Sequence, residues 1–264
     1  MMLDIIANND WKRPIYFSGG SFDRAEYIWM KEYLQLDGLV YKLVPIKTKN
    51  ANAFELGRID TDLMYDIVKK WEWGNSGSNI YHDPQTRSQG LSFRSNLARL
   101  MEQLIEEGKM NKAEDVITIT MTHIPFEHFG FYAFVEPFLD GYYKIGDKTE
   151  AHELFDKLKT VYQERLGYYA GLDRYEQEQR LDDILSDMEA YRRNIDILIR
   201  NDDKAKAESE TLIFNEFLDR FTHFIGAEDQ EYLSNPQGID PDLQDSMVLD
   251  SIPLDTIPAV DSLP

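Results

Sequence analysis

The 264-residue chain contains no cysteine. That excludes disulfides, thiolate nucleophiles and cysteine metal sites, but leaves the compartment open. It has no apolar run of about eighteen residues, so no segment reads as a membrane-spanning helix. No basic region precedes an apolar stretch at the start, so no signal peptide is read. The sequence offers no G-x-S-x-G elbow, no Walker loop and no dinucleotide fingerprint. It gives no basis for a catalytic residue or a cofactor.

Positive charge is also scarce, and unevenly so. Lysine and arginine number 28 against 48 acids, a formal net charge of −20. Residues 1–90 carry 11 bases and 12 acids, residues 91–225 carry 17 and 27, and residues 226–264 carry none and 9. Such a surface repels phosphate backbones and anionic lipid heads, which argues against nucleic acid as a partner. All four tryptophans (Trp11, Trp29, Trp71 and Trp73) fall near the N-terminus. Two regions and a tail are expected.

The most informative pattern is a pair of segments, Gly108-x-x-x-x-Ala113 and Gly146-x-x-x-x-Ala151. Leu104 and Ile117 flank the first at four-residue spacing, and Tyr142 and Phe155 flank the second. An apolar residue faces the neighbouring helix, glycine ends that helix, and a small alanine lets the next one pack close. Pro125 stands where a tetratricopeptide repeat often ends its second helix, and Gln163 takes that place in the second copy. The copies are offset by 38 residues. Stacked helical hairpins of this kind bury a shared core and present a groove, more often for binding than for catalysis.

The N-terminal region reads differently. Met1–Asn8 is apolar with no N-cap before it, as though the chain began inside an element. Pro14–Phe17 is β-prone and is followed by Ser18-Gly19-Gly20. Asp23 and Glu26 have capping-box spacing, which predicts a helix from Arg24 to Leu36 that Gly38 stops. Leu39–Pro45 alternates as a strand. Strand, helix and strand predict a βαβ unit with parallel strands. A second helix is expected over Asp60–Trp73, and the Gly-, Ser- and Asn-rich stretch after Gly74 reads as a linker. From Phe93 to Ile225 the period is helical. The β-branched run Thr118–Thr122 favours a strand by itself, but the hairpin pattern predicts a helix. Two further amphipathic helices follow, one with Leu181, Ile184, Met188, Tyr191, Ile195 and Leu198 on its apolar face, the other with Phe214, Phe217, Leu218, Phe221 and Phe224.

Few residues suggest chemistry. Ser18–Ser21 could hold an anion at a helix N-terminus, although an ordinary glycine turn explains it. His123, Glu127 and His128 match neither zincin spacing, and zinc needs three converging ligands, so no metal site is expected. The aromatic stretch from Phe126 to Tyr143 reads as core filler, with one or two rings left facing a groove. Carboxylate pairs such as Glu106-Glu107 and Asp182-Asp183 read as solvated helix faces.

Trp11-Lys12-Arg13-Pro14-Ile15-Tyr16-Phe17 and the stretch from Tyr33-Leu34 through Gly38-Leu39-Val40-Tyr41-Lys42-Leu43-Val44-Pro45 resemble the C-terminal soluble part of bacterial protein O-mannosyltransferase-like membrane proteins. Arg94–Leu100, Glu107-Gly108-Lys109 with Ala113, and Tyr142–Asp147 are similar to the same family's helical part. The resemblance covers about residues 3–170. It implies a domain outside the cytoplasm, attached to a multi-helix membrane portion that transfers sugar from a lipid-linked donor. The catalytic acidic loop of such proteins lies in the membrane portion, so the resemblance assigns no catalytic residue here.

The expected fold is mainly α (α+β): a small βαβ unit over 1–74, a linker over 75–92, tetratricopeptide-like hairpins over 93–226 and an acidic tail over 227–264. The expected function is a non-catalytic, periplasmic scaffold for a glycosyltransferase-like membrane protein, or a cytoplasmic one were the chain a complete protein. Its partners would be an acceptor glycoprotein or another protein, and the membrane portion of its own full-length chain. Binding candidates are Arg13 and Tyr16 beside the sheet, and His128, Tyr142 and Tyr143 along the groove. The alternative is a carbohydrate-binding module whose exposed rings, Trp71 and Trp73 among them, stack on a glycan. A soluble hydrolase ranks third.

Overall fold

The computed structural model describes residues 2–18, 30–48 and 56–224. The fold is mainly helical, with a small three-stranded sheet near the N-terminus. Helix α1 (Met2–Asn9) leads into strand β1 (Tyr16–Ser18), and a short 3-10 turn precedes β2 (Leu34–Asp37) and β3 (Val40–Leu43). The sheet order is β1-β3-β2 and both pairings are antiparallel.

This corrects the parallel βαβ unit. Leu34–Asp37, expected as the end of a helix, is a strand with every residue buried. Leu34 and Leu36 alternate with Gln35 and Asp37, a period of two instead of the helical period expected up to Leu36. Gln35 and Asp37 share a face and bond to each other (2.8 Å). Gly38, read as a helix stop, begins a two-residue hairpin turn with φ +72°. Tight hairpins favour glycine there. A Cβ on Gly38 would also stand 2.8 Å from the Trp71 ring. The expected start of the helix at Arg24, its capping box and most of Ser18–Ser21 lie outside the described residues, as does the acidic tail.

Helix α2 (Thr61–Val68) starts on an Asp60 cap and ends before the expected Trp73. Trp71 instead packs edge-to-face on Trp73 and on Phe93, and Trp73 meets Phe93 at a tilt. Helix α3 (Pro84–Glu106) begins inside the stretch expected as linker, because Asp83 caps it and Pro84 occupies its first turn. Then come α4 (Met110–His123), the short α5 (Phe126–Phe129), α6 (Glu136–Ile145), α7 (Lys148–Ala170), the short α8 (Arg174–Glu178), α9 (Leu181–Arg200) and α10 (Lys204–Phe221). Residues Thr118–Thr122 are helical, and the Thr120 hydroxyl donates to the Val116 carbonyl. The sheet docks on α3. Asn96 donates to the Gly38 carbonyl (2.9 Å), and Arg99 to the carbonyls of Leu56 and Gly57. Leu36, Met64 and Val68 join the core that the later helices share.

Helices α3/α4, α6/α7 and α9/α10 form three hairpins with one turn chemistry. Each first helix ends on a left-handed residue: Gly108 (φ +73°), Gly146 (φ +89°) and Asp202 (φ +59°). The next amide reaches back to a carbonyl five residues earlier: Lys109 to Leu104 (2.8 Å), Asp147 to Tyr142 (2.9 Å) and Asp203 to Leu198 (2.9 Å). That is the long bond of a Schellman cap. An alanine with no exposed or almost no exposed surface follows in each case: Ala113, Ala151 and Ala207. The third copy escapes a search for glycine because aspartate holds the left-handed position, which Asp tolerates better than most residues.

Replacing Gly146 with alanine forces a Cβ into the left-handed region and is expected to cost about 1–2 kcal/mol. Asp202→Gly is expected to do the reverse and raise the urea midpoint. A lowered midpoint for Asp202→Gly would remove the third turn from the set.

Candidate binding groove

The second helices of hairpins one and two do not close fully over the segment between them. A cavity of about 100 Å³ remains, lined by Met121, Pro125, Phe126, Glu127, Tyr142, Glu150, Glu153, Leu154 and Lys157. Phe126 and Leu154 are buried and form its floor. Glu150 lies three and four residues before Glu153 and Leu154, and these lie four and three before Lys157, so the four make one stripe on α7. Glu150 and Glu153 are exposed at the rim. Glu127 meets Lys157 at 3.8 Å. Burial raises the Tyr142 hydroxyl to about 12, and the charges of Glu150, Asp147 and Glu153 push the same way.

One buried cation shapes the cavity wall. Arg94 on α3 is 1% exposed. Its guanidinium donates to the carbonyls of Gly130 (2.8 Å), Phe131 (3.0 Å) and Ile124 (3.0 Å). These carbonyls flank α5, where the chain bends through left-handed Gly130 and Phe131 and leaves helical geometry. The Phe131 carbonyl also accepts from the Phe134 amide (3.1 Å), and the arginine supplies donors to all three carbonyls at this break in the helical run. Burial lowers the Arg94 group to about 10, and the Glu127 charge offsets part of that.

A second polar cluster joins hairpins two and three. The Asp203 carboxylate is 7% exposed and accepts from Lys148 (3.1 Å), from the Tyr143 hydroxyl (2.8 Å) and from His152. Burial alone would raise its pKa, but the donors from His152, Tyr143 and Lys148 prevail and hold it below the usual carboxylate range. Burial and the Asp203 bond raise Tyr143. Nearby, Arg193 binds Glu136 in a two-bond fork (2.9 and 3.1 Å). Glu210 occupies the place in the third hairpin that Val116 and Leu154 hold in the others. It bonds Lys159 (2.7 Å) and Tyr191 (3.1 Å).

The five residues singled out by sequence therefore part company. Tyr142 lines the cavity. His128 is half-buried on α5, its ring 6.4 Å from that of His82. Tyr143 faces the next hairpin and holds Asp203 instead of an open groove. Arg13 and Tyr16 lie at the sheet, exposed, in and just before edge strand β1. Sequence reasoning missed Glu150, Glu153 and Lys157, although their helical spacing beside Leu154 was available. His123 stacks on Trp73 (5.0 Å). Among the described residues no group of three metal-type ligands converges, and no helix is long and apolar enough to cross a membrane.

The architecture is thus a mainly α protein of three helical hairpins with a docked antiparallel sheet. Residues 1–63 match the family model described as TMEM260-associated domain 2. The chain is similar to that family over this stretch alone. The match spans α1, the sheet and the start of α2, and none of the hairpins. No curated protein and no solved structure matches the chain.

Arg94→Met keeps volume and removes the donors to three carbonyls, so unfolding free energy is expected to fall by about 3 kcal/mol in urea titration. Asp203→Asn tests the second cluster. A depressed carboxylate stabilises the fold above its unfolded pKa, and that contribution fades as pH falls through the folded value. Asp203→Asn is therefore less stable than wild type at neutral pH, and the gap narrows below about pH 4. A gap independent of pH would show that the charge is not what matters.

Proposed function

We infer that this chain is a non-catalytic, extracytoplasmic scaffold of a glycosyltransferase-like membrane protein, built on tetratricopeptide-like repeats that hold the acceptor protein. The observation that carries this reading is the threefold recurrence of one hairpin closure, beside an N-terminal 63 residues similar to TMEM260-associated domain 2. Hairpins that stack in this way leave grooves between neighbours, and such surfaces bind polypeptides. Arg94 holds backbone carbonyls in place, and Asp203, Glu136 and Glu210 pair within the protein, as scaffolding requires.

The carbohydrate-binding alternative needs an open aromatic platform. Trp71 and Trp73 are half-buried in a ring cluster with Phe93 and His123. A hydrolase needs an enclosed acid or base near its substrate. The glutamates at the cavity are exposed rim residues.

The test is retention of acceptors. The immobilised chain, incubated with envelope extract of its host, is expected to retain glycoproteins that a mannose-binding lectin detects, and free mannose is expected not to elute them. Retention no better than that of blank resin would overturn the scaffold reading. Elution by mannose would replace it with carbohydrate binding.

A further inference from the structure

The cavity between hairpins one and two carries more information than its position. Three features restrict what fits. The first is size. At about 100 Å³ the space is well short of the roughly 300–1,000 Å³ typical of small-molecule sites. A space of that size takes one side chain.

The second feature is its two-part surface. The floor is apolar, from buried Phe126 and Leu154 and half-buried Met121. The rim carries three carboxylates, Glu127, Glu150 and Glu153, against one cation, Lys157. A long aliphatic side chain with a positive head matches both parts, its methylenes on the floor and its charge at the rim. A hydrocarbon side chain would leave the carboxylates unpaired, and an acidic one would meet like charge.

The third feature is that the rim is not already neutralised. Among the described residues Lys157 pairs with Glu127 alone, at 3.8 Å, with both side chains about half-exposed or more (60% and 48%). Pairs of that kind contribute at most about 1 kcal/mol, so an arriving cation displaces little. Among the described residues Glu150 and Glu153 make no ion pair with a lysine, arginine or histidine. The contrast with hairpins two and three is instructive, because there Asp203, Glu136 and Glu210 each meet an internal cation. Tyr142 lines the same cavity, and an aromatic ring within about 6 Å of a cation adds to its attraction.

We propose that this cavity receives a single lysine or arginine side chain from an extended segment of the partner protein, with an apolar neighbour of that residue lying over Met121 and Phe126. The proposal rests on the scaffold reading and names the chemistry by which the partner is held. It places recognition on the second helices of the hairpins, α4 and α7, and on the α5 segment that Arg94 fixes.

The probes are fluorescein-labelled peptides of serine and glycine carrying a central Leu-Lys-Leu, with Leu-Gln-Leu and Leu-Glu-Leu counterparts, read by fluorescence anisotropy. The lysine peptide is expected to bind in preference to the other two, and more weakly as salt rises. Glu150→Gln with Glu153→Gln changes exposed positions only and is expected to weaken the lysine peptide about tenfold, with an unchanged circular dichroism spectrum. Glu150→Lys with Glu153→Lys is expected to shift the preference to the glutamate peptide. Glu208→Gln with Glu216→Gln removes the same charge from exposed sites on α10 and is expected to leave binding unchanged. Equal binding of lysine and glutamine peptides overturns the proposal. So does an equal loss in the α10 control, which would assign the attraction to net charge. Acceptor retention on resin that persists in Glu150→Gln with Glu153→Gln overturns the proposal while leaving the scaffold reading in place. Loss of all retention by the wild-type chain removes both.

Discussion

The fold depends on how each helical hairpin is closed. A left-handed residue ends the first helix, the following amide bonds back to a carbonyl five residues earlier, and an alanine lets the second helix approach. The Schellman bond satisfies carbonyls that the helix end would leave unpaired. The alanine sets the spacing at which Leu104, Leu139, Phe155 and Leu198 meet in one core. With this geometry fixed in three places, consecutive helices run antiparallel and stack. The sheet then rests on α3 through side-chain donors to backbone carbonyls, without forming a separate core for all its residues.

The two junctions between hairpins use different physics. Between the first and second, contact is apolar and tight. A Cβ on Gly141 would fall 2.5 Å from the Met101 sulfur, so glycine permits the crossing of α3 and α6. Between the second and third, the contact is charged and largely enclosed, through Glu136 with Arg193 and Asp203 with its three donors. Buried pairs of this kind add little net stability, yet losing one partner is costly. Here they link one hairpin to the next. The open cavity lies at the apolar junction, where α5 breaks the helical run and Arg94 holds the broken backbone.

Much of this was legible in the sequence. Gly108 with Ala113, and Gly146 with Ala151, gave two hairpins, and their spacing overrode the β-branched run at Thr118–Thr122. The class, mainly α with a little β, followed from the change of period after Phe93. Both helices of the third hairpin were read from their apolar stripes, but not the turn they share with the others, because Asp202 does the work of glycine and only the backbone angle reveals it. The sheet was misread because the capping-box spacing of Asp23 and Glu26 and the stop at Gly38 framed a helix that ran into the four-residue strand Leu34–Asp37. Of the candidate site, Tyr142 was found by its aromatic neighbourhood. Glu150, Glu153 and Lys157 were passed over as ordinary charges on a long helix.

By itself the sequence determined helix, turn and charge, because those follow from local spacing and from which residues tolerate a left-handed backbone. Only the tertiary structure decided the antiparallel pairing of β1 with β3, the partners of Asp203 and Arg94, and the separation of Tyr142 from its neighbour Tyr143. Those outcomes depend on which surfaces meet across tens of residues. Adjacent positions on a helix point about 100° apart, so one tyrosine lines a cavity while the next is bonded into the neighbouring hairpin.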